Sequence, residues 1–252
     1  MEQFVKEFET LTESERRVFS YIYKNQKKAS SMKIQDLAQE TLTSKTVIIN
    51  MCQKLGLEGY GDLKYYLKNR KEEPVQETSP NQMQYQILDQ VKKTMAVAGM
   101  DALRRAAQRI LKSRTVYIIA RGTSKAVGSY LEHLLLILGI RCIYLKDYNL
   151  ISTVTRTLDL NETVVVISLS GETEKILEVA RIAKSREASV VALTGFFTSS
   201  LSKIADETLY CAADNRDTRD NDVHSRLGMF VVVDMLVGCI REYTGRSVFK
   251  LD

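Results

Sequence analysis

The side chains best placed to do chemistry in this sequence are hydroxyls beside glycines. They fall in two short stretches, Arg121-Gly122-Thr123-Ser124 and Ser168-Leu169-Ser170-Gly171-Glu172-Thr173. Serine and threonine hydroxyls hydrogen-bond phosphate oxygens, and glycine lets the backbone approach closely. Each stretch follows an apolar, β-branched run and opens a helical pattern. Each therefore sits at a helix start, where unpaired N–H groups and the dipole favour an anion. One such loop alone reads as a turn with an N-cap, whereas two loops after two strands of one sheet point to an anion site. Neither carries Gly-Lys-Ser/Thr and neither is GxGxxG, so a nucleotide site is not indicated.

Other reactive residues are few. Cys52, Cys142, Cys211 and Cys239 are far apart and form no CxxC, and the two histidines are His133 and His224. A protein-built metal site has almost no ligands to draw on, and no cofactor is expected. His224 precedes the last helical segment and could act as an acid or base, although a lone histidine there reads more readily as a surface or capping residue. His133 lies among Leu131, Leu134 and Leu135 and is expected to be structural.

The elements that must hold these loops follow from hydrophobic periodicity. Runs at 115–120, 141–145, 163–168, 189–194 and 207–211 are short, rich in β-branched residues and apolar without alternation. That pattern predicts parallel strands buried on both faces, with helices at 84–98, 101–112, 172–186 and 225–243. A doubly wound α/β sandwich is the expected architecture, and such sheets bind ligands at the carboxyl ends of their strands.

Residues 1–73 are helical in pattern instead. Thr12-Glu-Ser-Glu15 is a capping box, and helices are expected at about 33–40, between Ser44 and Gly56, and at 60–68. The chain's two prolines, Pro74 and Pro80, lie in a polar stretch that reads as a linker, here 74–83, leaving 84–252 as the second domain.

Net charge is +5, unevenly spread: residues 16–71 hold twelve Lys or Arg against four acids, residues 1–15 are net −4, and 72–252 are net +1. A basic early segment suits a module that faces a polyanion. The longest apolar run, 229–240, is twelve residues and contains Asp234, too short to cross a bilayer. The acidic first residues do not read as a signal peptide. The expectation is a soluble, cytoplasmic protein.

These features resemble a known family. Ser-x-Ser-Gly-x-Thr after a strand, at 168–173, is similar to the signature of sugar isomerase (SIS) domains, and Gly-Thr-Ser at 122–124 is similar to their first loop. The stretches Leu11-Thr-Glu-Ser-Glu-Arg-Arg17, Ile34-Gln-Asp-Leu-Ala38 and Lys54-Leu-Gly-Leu-Glu-Gly-Tyr60 resemble the helix-turn-helix of RpiR-type transcriptional regulators. The resemblance implies an all-α helix-turn-helix domain followed by an α/β three-layer sandwich with a parallel sheet, the SIS fold. It implies that Thr123, Ser124, Ser168, Ser170 and Thr173 hold the phosphate of a sugar phosphate, helped by the backbone at Gly122 and Gly171. It also implies that Ser44, Lys45, Thr46 and Asn50 face duplex DNA, with Lys54 on a phosphate or simply solvated. The chain departs from the family where Leu42 replaces the usual turn glycine, where Thr43 replaces a small apolar residue, and where Asn50 and Met51 replace arginine and phenylalanine.

The function expected on these grounds is that of a sugar-phosphate-responsive regulator of carbohydrate metabolism genes. It would have no catalytic residues, bind a duplex operator and a sugar phosphate effector, avoid membranes, and act as a homodimer or homotetramer. The competing readings are a phosphosugar isomerase of the SIS family and a sensor that no longer binds DNA.

Overall fold

Thr12 starts the first helix as its sequence implies. Its Oγ1 accepts from Glu15 N at 3.4 Å, and its own N–H donates to Glu15 Oε2 at 2.7 Å. The computed structural model describes residues 4, 7, 10–69, 80–196, 198–213 and 224–245. The chain divides into two compact units, 1–88 and 89–252.

Within the first unit the helices are α1 (Glu13–Lys24), α2 (Gln26–Ser31), α3 (Ile34–Glu40), α4 (Lys45–Lys54) and α5 (Tyr60–Asn69). Phe19, Ile22, Leu37, Ile48, Met51 and Leu63 meet in its core with no exposed surface. Helix α2 was not expected, because Gln-Lys-Lys-Ala-Ser-Ser has no apolar stripe and buries Ala29 alone. The Tyr60 hydroxyl holds its end, donating to the carbonyls of Ala29 and Met32 at 3.3 and 3.2 Å.

The turn from α3 to α4 closes α3 by two bonds, Leu42 N to Gln39 O at 3.1 Å and Thr43 N to Ala38 O at 2.9 Å. This closure needs a left-handed residue at position 42, and Leu42 adopts φ 49° with its side chain largely in solvent. A left-handed leucine costs roughly 1–2 kcal/mol that glycine avoids. Gly56 makes the same closure after α4 at φ 76°.

The second unit begins inside a helix. Helix α6 is Pro80–Val97, so the division into units falls within it and the expected linker ends earlier than 83. Proline reads as a breaker, but at the first helical position its missing N–H costs nothing. Residues 71–79, which include Pro74, lie outside the described residues.

Helix α7 (Met100–Lys112) leads into the sheet, whose strands are β1 (Thr115–Ala120), β2 (Cys142–Tyr144), β3 (Glu162–Ile167), β4 (Ser189–Gly195) and β5 (Glu207–Cys211). All neighbours are parallel, in the order β2-β1-β3-β4-β5. The connecting helices are α8 (Lys125–Ile137), α9 (Tyr148–Thr155), α10 (Glu174–Ser185) and the short α11 (Ser200–Ile204), and α12 (Leu227–Thr244) follows.

Strand residues alternate between two cores. Val116, Ile118, Val165 and Ile167 pack with α7, α8 and α12, while Ile119, Val164 and Val166 pack with residues of α9, α10 and α11. This is the expected three-layer sandwich with a parallel sheet. At the amino ends of the strands, carboxylates are paired with arginines: Glu207 with Arg105 and Arg109 at 2.9 and 3.3 Å, and Glu162 with Arg114. His133 differs from expectation: it is exposed on α8 rather than packed among the leucines.

One ion pair ties α4 to α1. Lys54 Nζ lies 2.7 Å from Glu15 Oε2, the same oxygen that completes the capping box. Burial acts to raise the Glu15 carboxyl, but the Lys54 ammonium and Thr12 outweigh it and hold the group below its usual value. A depressed folded value means that the stabilisation is complete above the ordinary glutamate value, ~4.3, and is lost as pH falls through the folded one. Glu15→Gln keeps a capping side chain and removes the charge. It should cost about 1 kcal/mol at neutral pH, since Lys54 is partly exposed. Urea unfolding of the two proteins across pH should show the difference vanishing in acid.

Candidate functional site

The strand order reverses direction between β1 and β3, and both hydroxyl-bearing loops leave the sheet at that point. After β1 the chain makes a single 3₁₀ turn, Gly122–Ser124, and enters α8. After β3, residues 168–173 lead into α10. Helix α8 packs on one face of the sheet and α10 on the other, so a crevice opens between them, as at any such switch point. The N-cap residues of α8 and α10, Ser124 and Thr173, make no side-chain cap bond. In contrast, Ser199 and Ser202 form a capping box at α11.

A cleft of about 200 Å³ lies there. Of the residues expected to bind, Gly122, Ser124, Ser168, Ser170 and Thr173 line it together. Thr123 is exposed on the turn and Gly171 is buried, and neither is part of the lining. Ser168 Oγ and Thr173 Oγ1 are 3.2 Å apart, and Ser170 Oγ accepts from Glu172 N at 3.3 Å.

Gly171 shapes the loop from behind. Its φ is +63°, and a Cβ added there would stand 2.3 Å from Ser199 Oγ and 2.9 Å from Thr194 Oγ1. Its carbonyl accepts from Leu201 N at 3.0 Å, and Leu169 O accepts from Gly195 N at the same distance. Glu172 faces away toward α11, where Oε1 accepts from Ser200 N at 2.8 Å. The loop is thus braced against the segment after β4, leaving its hydroxyls to the cleft.

Arg226 is the lining residue that sequence reasoning missed. It immediately precedes α12, is 8% exposed, and reaches Ser124 Oγ through Nε at 3.1 Å. Its Nη1 donates to the carbonyl of His224 at 2.6 Å. No motif marks it, since only the tertiary fold brings residue 226 beside residue 124. Burial pushes the nearby Cys211 thiol up to about 12 even against the pull of the Arg226 charge, so this thiol is neutral at ordinary pH. Among the described residues no group of three His, Cys, Asp or Glu side chains could hold a metal ion, and no helix is long and apolar enough to cross a membrane.

The second candidate surface is on α4. Ser44 caps the helix, its Oγ accepting from Val47 N at 3.3 Å. Ser44, Lys45, Thr46 and Asn50 are all exposed, and Gln53 extends the same outward face one turn beyond Asn50. Met51, at a departure from the family pattern, points into the core and is fully buried. Lys54, at the end of the same helix, is partly exposed, and its ammonium pairs with Glu15 within the unit. The sequence could not show this pair, whose members stand 39 positions apart.

The Gly171 geometry generates a sharp expectation. Gly171→Ala strains a left-handed backbone and drives a methyl group into Ser199. It should therefore destabilise the second unit by at least about 2 kcal/mol. Thermal unfolding by calorimetry measures this, with Gly59→Ala, where no atom lies within 4 Å of the added carbon, as a control expected to change little.

Comparisons with known proteins bear on the family and the fold. Residues 109–237 match the family model of the SIS domain, and residues 1–73 match that of the helix-turn-helix domain, rpiR family. An uncharacterized HTH-type transcriptional regulator of Bacillus subtilis (strain 168), YbbH, is 27% identical over 239 residues, covering 90% of this chain and 84% of that one. The HTH-type transcriptional regulator RpiR of Escherichia coli (strain K12) is 21% identical over 238 residues, covering 90% and 80%. The solved structure of the Vibrio vulnificus NanR protein complexed with ManNAc-6P covers 96% of this chain and 92% of that chain, with 25% identity and a TM-score of 0.64. With the two family models matched in this order along one chain, it belongs to the SIS-domain family, in the branch whose SIS domain follows an rpiR-type helix-turn-helix.

Proposed function

We propose that this protein is a sugar-phosphate-responsive transcriptional regulator of carbohydrate metabolism genes. The observation that carries the reading is the pairing of three hydroxyls, Ser168, Ser170 and Thr173, with the uncapped starts of α8 and α10 around one cleft. Neutral donors and two helix dipoles suit a phosphate ester. The NanR relative, solved with ManNAc-6P, makes N-acetylated hexosamine phosphates the first class to try.

The DNA-facing side chains are Ser44, Lys45, Thr46 and Asn50. A helix-turn-helix places the start of its second helix in the major groove, and asparagine pairs bidentately with adenine. Lys54 is left out of this face, because a phosphate would have to compete with Glu15 for its ammonium. Two copies are required to read successive major grooves ~34 Å apart, so the working species is a homodimer or a homotetramer. Regulation then works by linkage, with effector favouring one arrangement of the assembly and so changing operator affinity. The site of action is the cytoplasm.

The protein does not turn its effector over in this reading. Isomerisation needs a base beside the sugar carbons. The residues that line the cleft offer hydroxyls and guanidinium groups, while Glu172 is turned to Ser200.

Calorimetric titration with hexose and N-acetylhexosamine 6-phosphates should give binding that Ser168→Ala with Ser170→Ala weakens by on the order of 1–3 kcal/mol per hydroxyl. Fluorescence anisotropy on upstream-region DNA should give a log–log salt slope near about −5, for roughly six phosphate contacts per dimer. Asn50→Ala should cost ~1–3 kcal/mol on the operator and little on scrambled DNA. Interconversion of aldose and ketose phosphates by the purified protein, followed by NMR, would overturn the reading in favour of an isomerase.

A further inference from the structure

Beside the two hydroxyl loops, the described lining of the cleft includes a buried cation, Arg226. Arg226 is 92% buried, taking its 8% exposure, and it lines the cleft beside Ser124, Ser168 and Ser170. Taking a guanidinium out of water is costly, so a fold that does it must gain from the charge or the fork.

Its place in the fold separates it from the structural arginines. Arg105, Arg109 and Arg114 lie at the amino ends of the strands, where they close on Glu207 and Glu162. Arg226 lies at the opposite, carboxyl edge, at the switch point. It is also held in position there: Nε is on Ser124 Oγ at 3.1 Å and Nη1 on His224 O at 2.6 Å. A side chain already fixed loses little freedom when a ligand arrives, so its interaction appears almost fully as affinity.

Ser124 takes a different part from the other hydroxyls. It is buried, and its oxygen accepts from Arg226 while its hydrogen points to Met229 Sδ at 3.9 Å. Ser124 thus orients the guanidinium from the β1 side, and the His224 carbonyl does so from the other.

We infer that Arg226 is an effector-binding residue of this cleft, pairing with the anionic group of the ligand, and that Ser124 is its positioning residue. The inference rests on the sugar-phosphate reading and adds to it a fixed positive charge. Such a charge makes the cleft select a phosphate ester over the same sugar without phosphate, a discrimination that neutral hydroxyls alone supply weakly. A guanidinium offers planar, charge-assisted bonds that lysine cannot reproduce, so shape as well as charge is selected.

The test uses the full chain, with glucose 6-phosphate, N-acetylglucosamine 6-phosphate and the two free sugars as probes. Arg226→Gln should weaken the phosphate esters by roughly 10- to 100-fold, and Arg226→Lys should fall between it and wild type. Ser124→Ala should weaken them less than Arg226→Gln does, and by nothing when introduced on top of it, because it acts only through the arginine. Independently of any variant's folding, the Arg226 Nε–H resonance of ¹⁵N-arginine-labelled wild type should shift on titration with the esters and stay put with the free sugars. Wild-type affinity in a folded Arg226→Gln protein, or a silent Arg226 resonance while the ester binds, overturns this inference and leaves the sugar-phosphate reading standing. A wild type that binds no ester overturns both.

Discussion

An all-parallel sheet brings the carboxyl ends of its strands to one edge, and every other feature of the second unit follows from where the chain goes next. From β1 it turns to one face and from β3, the adjacent strand, to the other. Two helices therefore begin side by side, each with N–H groups that the helix itself cannot satisfy. Side-chain caps would satisfy them and close the site to a ligand. This protein uses such a cap at α11, one strand away, and not at α8 or α10. The cleft is thus the place where the fold leaves backbone donors and dipoles to be met by something else.

Keeping such a place open requires rigid surroundings. The 168–173 loop is held by Gly171 against Ser199 and Thr194, and by Glu172 on the backbone of Ser200. A comparable close fit stands at the other side of Arg226. A Cβ on Gly228 would come within 2.7 Å of Thr94 Oγ1 and 2.8 Å of Ala212 O, and Thr94 Oγ1 accepts from Ala212 N at 3.2 Å. The start of α12 is thereby locked to the end of β5 and to α6. At the far edge of the sheet, the buried carboxylates Glu162 and Glu207 are paired with arginines, so charge burial there is matched internally. The cleft and these ion pairs occupy opposite ends of the same strands.

Much of this was legible in the sequence because parallel strands buried on both faces leave a plain mark. Thr115–Ala120 and Glu207–Cys211 could be bounded to the residue from the sequence pattern, and the two hydroxyl loops follow directly from where strands end. Illegible were the features that depend on distant partners or on weak local patterns. Arg226 meets Ser124 across 102 positions, and Lys54 meets Glu15 across two helices. Helix α2 has no apolar stripe to announce it, and Pro80, a breaker by composition, stands where a helix begins. Leu42 is the intermediate case: the departure from glycine was visible in sequence, and its left-handed φ shows that the fold keeps the turn and bears the strain.

The central claim is that a phosphorylated sugar is held at the β1–β3 switch point. The most direct measurement is a crystal structure of the full chain with a sugar phosphate that calorimetry shows to bind. The phosphorus is expected between the two loops, its oxygens within ~2.5–3.0 Å of the hydroxyls of Ser168, Ser170 and Thr173. A ligand bound elsewhere on the chain, or seated in this cleft with its phosphate turned out to solvent, would contradict it.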